Sequence, residues 1–75
     1  MNLDEKLKTI LRCKKLLSEA YSVGGGEKIE FIDKGHIYMY FAITSPYNET
    51  RYYRIDESLD TDQLKGNKWV YSMTI

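Results

Sequence analysis

The stretch His36-Ile37-Tyr38-Met39-Tyr40-Phe41-Ala42-Ile43 constrains the fold more than any other part of the chain. With a period of two, Ile37, Met39, Phe41 and Ile43 fall on one side, and Tyr38, Tyr40 and Ala42 on the other. The first side has no polar member and must face a core. The second is rich in tyrosine, a surface that water or a partner can cover. A strand with two such sides belongs to an antiparallel sheet covered on one face only.

The segment ahead of it supplies the cover. Leu3, Leu7, Ile10, Leu17 and Tyr21 share one stripe at 3.6 residues per turn, with Leu11, Cys13 and Ala20 beside it. This predicts a helix from about residue 3 to 21. Asn2 and Glu5 have the spacing of a capping box, and Gly24-Gly25-Gly26 marks the helix stop. Lys14 interrupts the stripe and is expected to snorkel at the edge of the core, while Leu16 points away from it.

After the glycines the period becomes two. Residues 28–33 place Ile29 and Phe31 inward, and Asp33-Lys34-Gly35 then makes a tight connection with Gly35 at positive φ. Ser45-Pro46-Tyr47-Asn48-Glu49 forms the next turn. Residues 50–56 direct Tyr53 and Ile55 inward, Tyr52 and Arg54 outward. Residues 57–67 are polar and read as a loop with one helical turn near 60–65. Residues 68–75 send Trp69, Tyr71, Met73 and Ile75 inward. The expected fold is α+β, with one N-terminal helix packed on one face of a four-stranded antiparallel sheet in the order α-β-β-β-β. Residues 1–75 form a single small domain, with Phe31, Met39, Phe41, Tyr53, Ile55, Trp69 and Tyr71 buried against Leu7, Ile10 and Leu17.

Eleven basic and eleven acidic residues cancel, which disfavours a dedicated nucleic-acid binder, whose affinity rests on surplus Lys and Arg. The single cysteine, Cys13, excludes an intramolecular disulfide and reads as a small buried hydrophobe. Asp4, Glu5, Lys6 and Lys8 interrupt any apolar run near the start, so no signal peptide is expected, and no segment approaches the ~20 apolar residues of a membrane span. A reducing, cytoplasmic setting follows as the expectation.

Catalytic patterns are weak. Gly24-Gly25-Gly26-Glu27-Lys28 lies between a helix and a strand, the reverse of the strand–loop–helix order that aims backbone N–H groups at a phosphate. His36 is the only histidine and has no partner at zinc-ligand spacing. The carboxylate pairs Asp56-Glu57 and Asp60/Asp62 sit on a polar segment with no pocket implied. No catalysis, metal or cofactor is expected.

Surface recognition remains. Tyr38, Tyr40, Tyr52 and Arg54 on adjacent strands form one outward patch of residue types enriched in interface hot spots. Asp56, Glu57, Asp60 and Asp62 form an acidic segment suited to steering a basic partner. The expectation is a small protein-binding module, a regulator or inhibitor of the kind also found in phages and mobile elements. A homodimer through the tyrosine face or an uncovered edge strand is a further expectation. The alternative is a single-stranded nucleic-acid binder stacking bases on the same tyrosines, with Arg54 and Lys28 at phosphates.

Overall fold

The computed structural model describes residues 3–75. Helix α1 (Leu3–Ala20) precedes five strands: β1 (Lys28–Lys34), β2 (Met39–Thr44), β3 (Thr50–Ile55), β4 (Asp60–Lys65) and β5 (Lys68–Thr74). The strands pair antiparallel in chain order, β1-β2-β3-β4-β5, so every connection is a hairpin. The fold is α+β as expected, but with five strands rather than four. The polar segment expected as a loop with a helical turn contains β4.

β4 escapes hydrophobic patterning because Asp60-Thr61-Asp62-Gln63-Leu64-Lys65 has a single large apolar residue. Its alternation is nonetheless regular. Thr61 is fully buried opposite Ile55, while Asp62 lies opposite Arg54 on the other face. The turn before β4 was equally concealed. Asp56 N–H donates to the Asp60 carbonyl (3.1 Å), and Leu59 N–H to the Asp56 carbonyl (3.0 Å). Leu59 takes φ of 65°, a value usually left to Gly or Asn. The β2–β3 turn repeats this arrangement, with Ser45 N–H bonded to the Glu49 carbonyl and Asn48 at φ of 64°. Ser45 Oγ there accepts from the N–H groups of Tyr47 and Glu49, as Asp56 Oδ1 accepts from those of Ser58 and Asp60.

Leu59 carries its strained backbone because its side chain packs against the core. That core joins Cys13 and Leu17 of α1 to Met39, Phe41 and Ile55, with Ile10, Tyr21, Ile29, Phe31 and Ile75 around it. Tyr53, fully buried, stacks on Tyr21 with ring centroids 4.4 Å apart. The buried side of α1 is rotated from the expected stripe. Cys13 and Leu17 are buried and Leu16 half-buried, whereas Leu3 is exposed and Leu7, expected in the core, is 48% exposed.

The helix ends earlier than its glycines. Val23 N–H reaches the Ser18 carbonyl (2.8 Å) and Ser22 N–H the Glu19 carbonyl (3.3 Å), with Ser22 at φ of 53°. This is the Schellman bond pattern, with serine in the left-handed position glycine usually takes. Gly25 and Gly26 shape the following turn, and a Cβ on Gly26 would meet Pro46 Cγ at 2.9 Å. Gly35, by contrast, has no positive φ; Gly66 does (65°), at the first position of the two-residue β4–β5 turn. The expected cap residue Asn2 lies outside the described residues.

Ile37 was expected inward but is 66% exposed, because the Gly35–Tyr38 turn occupies its position and β2 begins at Met39. The largest correction concerns β5. Thr61 pairs with Met73 but Asp62 with Tyr71, so Ser72 is the extra residue of a bulge. Ahead of that bulge the alternation reverses. Met73 keeps the helix side, while Trp69, paired with Leu64, and Tyr71, paired with Asp62, turn to the open face.

Candidate functional site

Helix α1 covers one face of the sheet and leaves the other open. On that open face β2 and β3 run in a register that sets Tyr40 opposite Arg54 and Ala42 opposite Tyr52. Tyr38, just ahead of β2, adds its ring 6.3 Å from that of Tyr40. All four candidate contact residues are therefore brought to one side. The bulge in β5 adds Trp69, whose ring lies 5.8 Å from Tyr40. A bulge in β1, where Phe31 pairs with Phe41 but Asp33 with Tyr40, adds exposed Ile32.

Arg54 is the centre of this face. Its guanidinium lies 4.1 Å from the Tyr38 ring centroid and 4.9 Å from that of Trp69. Its Nε donates to Asp62 Oδ2 at 2.7 Å, and the two side chains are only 22% and 16% exposed. The two rings fix the plane of the cation and the carboxylate neutralises it, so the patch is apolar and aromatic rather than basic. Ile32, Asp33, Tyr40, Tyr52, Leu64 and Trp69 enclose a shallow hollow of about 370 Å³ beside it. Tyr52 is an exposed member of that rim.

The four acidic candidates have separate placements. Asp62 holds Arg54. Asp56 closes the β3–β4 turn through Ser58 and Asp60 N–H groups. Asp60 Oδ1 accepts from Thr74 Oγ1, whose oxygen also bonds Tyr71 Oη. Glu57 is exposed at the tip of the same turn.

A second cleft, about 200 Å³, lies between α1 and the β1–β2 and β3–β4 turns, with Cys13, Arg12, His36, Asp56 and Glu57 in its lining. Burial pushes the Cys13 thiol above its ordinary range, with Arg12 opposing only in part, so the thiolate needed for nucleophilic chemistry is disfavoured. Burial likewise raises the Tyr53 hydroxyl against the pull of Arg51, which is itself held by Glu27 at 2.8 Å. Among the described residues no group of three or more His, Cys, Asp or Glu is placed to hold a metal ion. Nor, among them, is any helix long and apolar enough to cross a membrane.

Trp69 was the site residue missed by sequence reasoning. Its only advance signal was the run Trp69-Val70-Tyr71-Ser72, in which a bulge at Ser72 reverses the facing of everything before it. The structure defines a class, a helix-backed antiparallel meander with an open aromatic face. No family model, curated protein or solved structure matches the chain.

Proposed function

We propose that the chain is a non-catalytic module that binds another protein through the open face of its sheet, as a regulator or inhibitor. One observation carries the reading. Tyr38, Tyr40, Trp69 and Arg54 are locked against one another and leave the apolar hollow bordered by Tyr52 unfilled. Aromatic and arginine side chains already held in place contribute contact area with little loss of side-chain freedom, the property that makes them hot spots. Neutralisation of Arg54 by Asp62 weighs against single-stranded nucleic acid, since stacking platforms for bases are accompanied by free cations along the backbone path. Asp56, Glu57 and Asp60 lie off the Arg54 cluster and would steer a basic partner, an effect on association rate more than on affinity.

The test uses Tyr52→Ala and Tyr38→Ala in capture from the native host with and without nuclease. Exposed Tyr52 should leave stability within ~0.5 kcal/mol, whereas loss of a hot spot should cost ~2 kcal/mol or more in binding. A protein retained by wild type, lost by both folded variants and resistant to nuclease is the expected outcome. Retention of every partner by both variants would sink the reading, and loss on nuclease treatment would transfer the face to nucleic acid.

A further inference from the structure

The two edges of the sheet are unequally defended. β1 presents Lys28, Glu30, Asp33 and Lys34 and is bent by the bulge at Ile32. Charges and bulges are the devices that keep an edge strand from pairing with another chain. β5, Lys68-Trp69-Val70-Tyr71-Ser72-Met73-Thr74, is also bulged, at Ser72, but has only one charge, at its first residue, and neither proline nor glycine. The run from Lys68 to Tyr71 ahead of the bulge is therefore regular and, past Lys68, undefended by charge. Among the described residues no strand pairs with its outer side. Val70, Tyr71, Ser72 and Thr74 are exposed there.

We propose that β5 pairs with β5 of a second copy, antiparallel about a two-fold axis at Val70, giving one continuous ten-stranded sheet. The strand is complementary to itself in this register. Lys68 and Val70 share the helix side, where Ser72 meets Tyr21, while Trp69 and Tyr71 share the open side. Centring on Val70 therefore sets Val70 against Val70 and Lys68 against Ser72 on one face. On the other face it sets Trp69 against Tyr71 of the second copy, twice. Each is a same-side cross-strand pair, as an antiparallel ladder demands, and the aromatic pairs are among the more stabilising kinds.

Charge selects the direction. Antiparallel pairing puts the two Lys68 ammonium groups at opposite ends of the ladder, whereas parallel pairing would set them side by side. Such an isologous contact closes at two copies and uses up the vulnerable edge. It leaves both helices on one side and joins the two aromatic faces into a single surface on the other. The contact shares Trp69 with the face assigned to a different protein above, but it is made along the strand edge and does not depend on that assignment.

Sedimentation across a concentration series tests it. Wild type should pass from monomer to dimer, and Val70→Lys, which sets two like charges opposite each other on the axis, should remain monomeric. Val70 is 43% exposed, so the lysine has room to reach water, and its thermal midpoint should match that of wild type at dilutions where both are monomeric. Val70→Cys should oxidise to a covalent dimer, because non-hydrogen-bonded antiparallel neighbours lie within disulfide reach. Lys28→Cys, on the other edge, should not, and buried Cys13 gives the wild-type background. A wild type monomeric at millimolar concentration would overturn the proposal. So would a dimer indifferent to Val70→Lys, a dimer abolished by Tyr52→Ala alone, or equal cross-linking at positions 28 and 70. The capture experiment with Tyr52→Ala reads the other interface, so failure of either leaves the other standing.

Discussion

Replacing Arg54 with methionine keeps an unbranched side chain between Tyr38 and Trp69 but removes the cation. Its Nε–Asp62 bond, at 2.7 Å with side chains 22% and 16% exposed, lies between a solvated ion pair and a buried one. Solvated pairs contribute ~0.2–1 kcal/mol and hydrogen bonds to charged groups ~1.5–3, so ~1–2 kcal/mol is expected here. Two partly exposed cation–π contacts add ~0.5–1 kcal/mol each. Arg54→Met should therefore cost roughly 2–4 kcal/mol, within the ~4–11 kcal/mol total expected for a chain this long. Asp62→Asn keeps an acceptor oxygen and should cost about 1 kcal/mol. Because Arg54 removal also strands the carboxylate, the double variant should be more stable than the sum of the singles by ~1 kcal/mol or more. Urea unfolding followed by Trp69, the only tryptophan, measures all four proteins. With the guanidinium 4.9 Å from its ring, native emission should also change in Arg54→Met. Additivity within ~0.3 kcal/mol, together with unchanged emission, would show that Arg54 is not held between the rings and that the face is not organised before binding.

Phe41 is fully buried beneath α1, and Phe41→Ala should cost ~3–5 kcal/mol, enough to bring most of the chain near its unfolding threshold; a thermal midpoint within a few degrees of wild type would refute the packing described. Glycine substitution at two left-handed positions should act with opposite signs. Exposed Ser22→Gly should stabilise by ~0.5–1 kcal/mol by relieving its backbone, whereas Leu59→Gly relieves the same strain but removes a side chain worth ~1.5–3 kcal/mol of burial and should destabilise. Stabilisation by Leu59→Gly in a denaturant titration would show that the Leu59 side chain does not anchor the β3–β4 turn.

The part of the open face on β2 and β3 needed only a local pattern to be read. The alternation from Met39 to Ile43 and from Tyr52 to Ile55 separates inward from outward residues without knowledge of neighbours, and the Ser45–Glu49 turn announces itself through Pro46 and Asn48. The β3–β4 turn has the same backbone bonds but hides them. Where the first turn uses Asn48 at positive φ, the second uses Leu59, a residue that by itself argues against such a conformation. Only the core beneath Leu59 makes that choice favourable, and the core is a property of the assembled fold. β4 is concealed for a related reason. A strand hydrogen-bonded on both sides is stabilised by its neighbours, so Asp60, Asp62 and Gln63 can occupy positions where a hydrophobic pattern would look for Val or Ile.

The bulge at Ser72 shows how one such hidden element reaches the candidate site. Periodicity in β5 reads correctly from Met73 to Ile75, and carried back without interruption it buries Trp69 and Tyr71. The extra residue cannot be located until β4 exists to count against, since a bulge is defined by two residues opposing one. Missing β4 therefore entailed misplacing Trp69. That single reversal transfers the largest side chain in the protein from the supposed core to the open face, where it closes the Arg54 clamp opposite Tyr38. Taking Ser72 into the ladder as an ordinary paired residue would restore the uninterrupted alternation and force a choice. Either Trp69 turns inward and leaves Arg54 without its second ring, or Met73 and Ile75 turn outward and expose the end of the core. Both alternatives break contacts that the bulge preserves, so leaving Ser72 out of the pairing is what allows β5 to close the core at one end and build the aromatic face at the other.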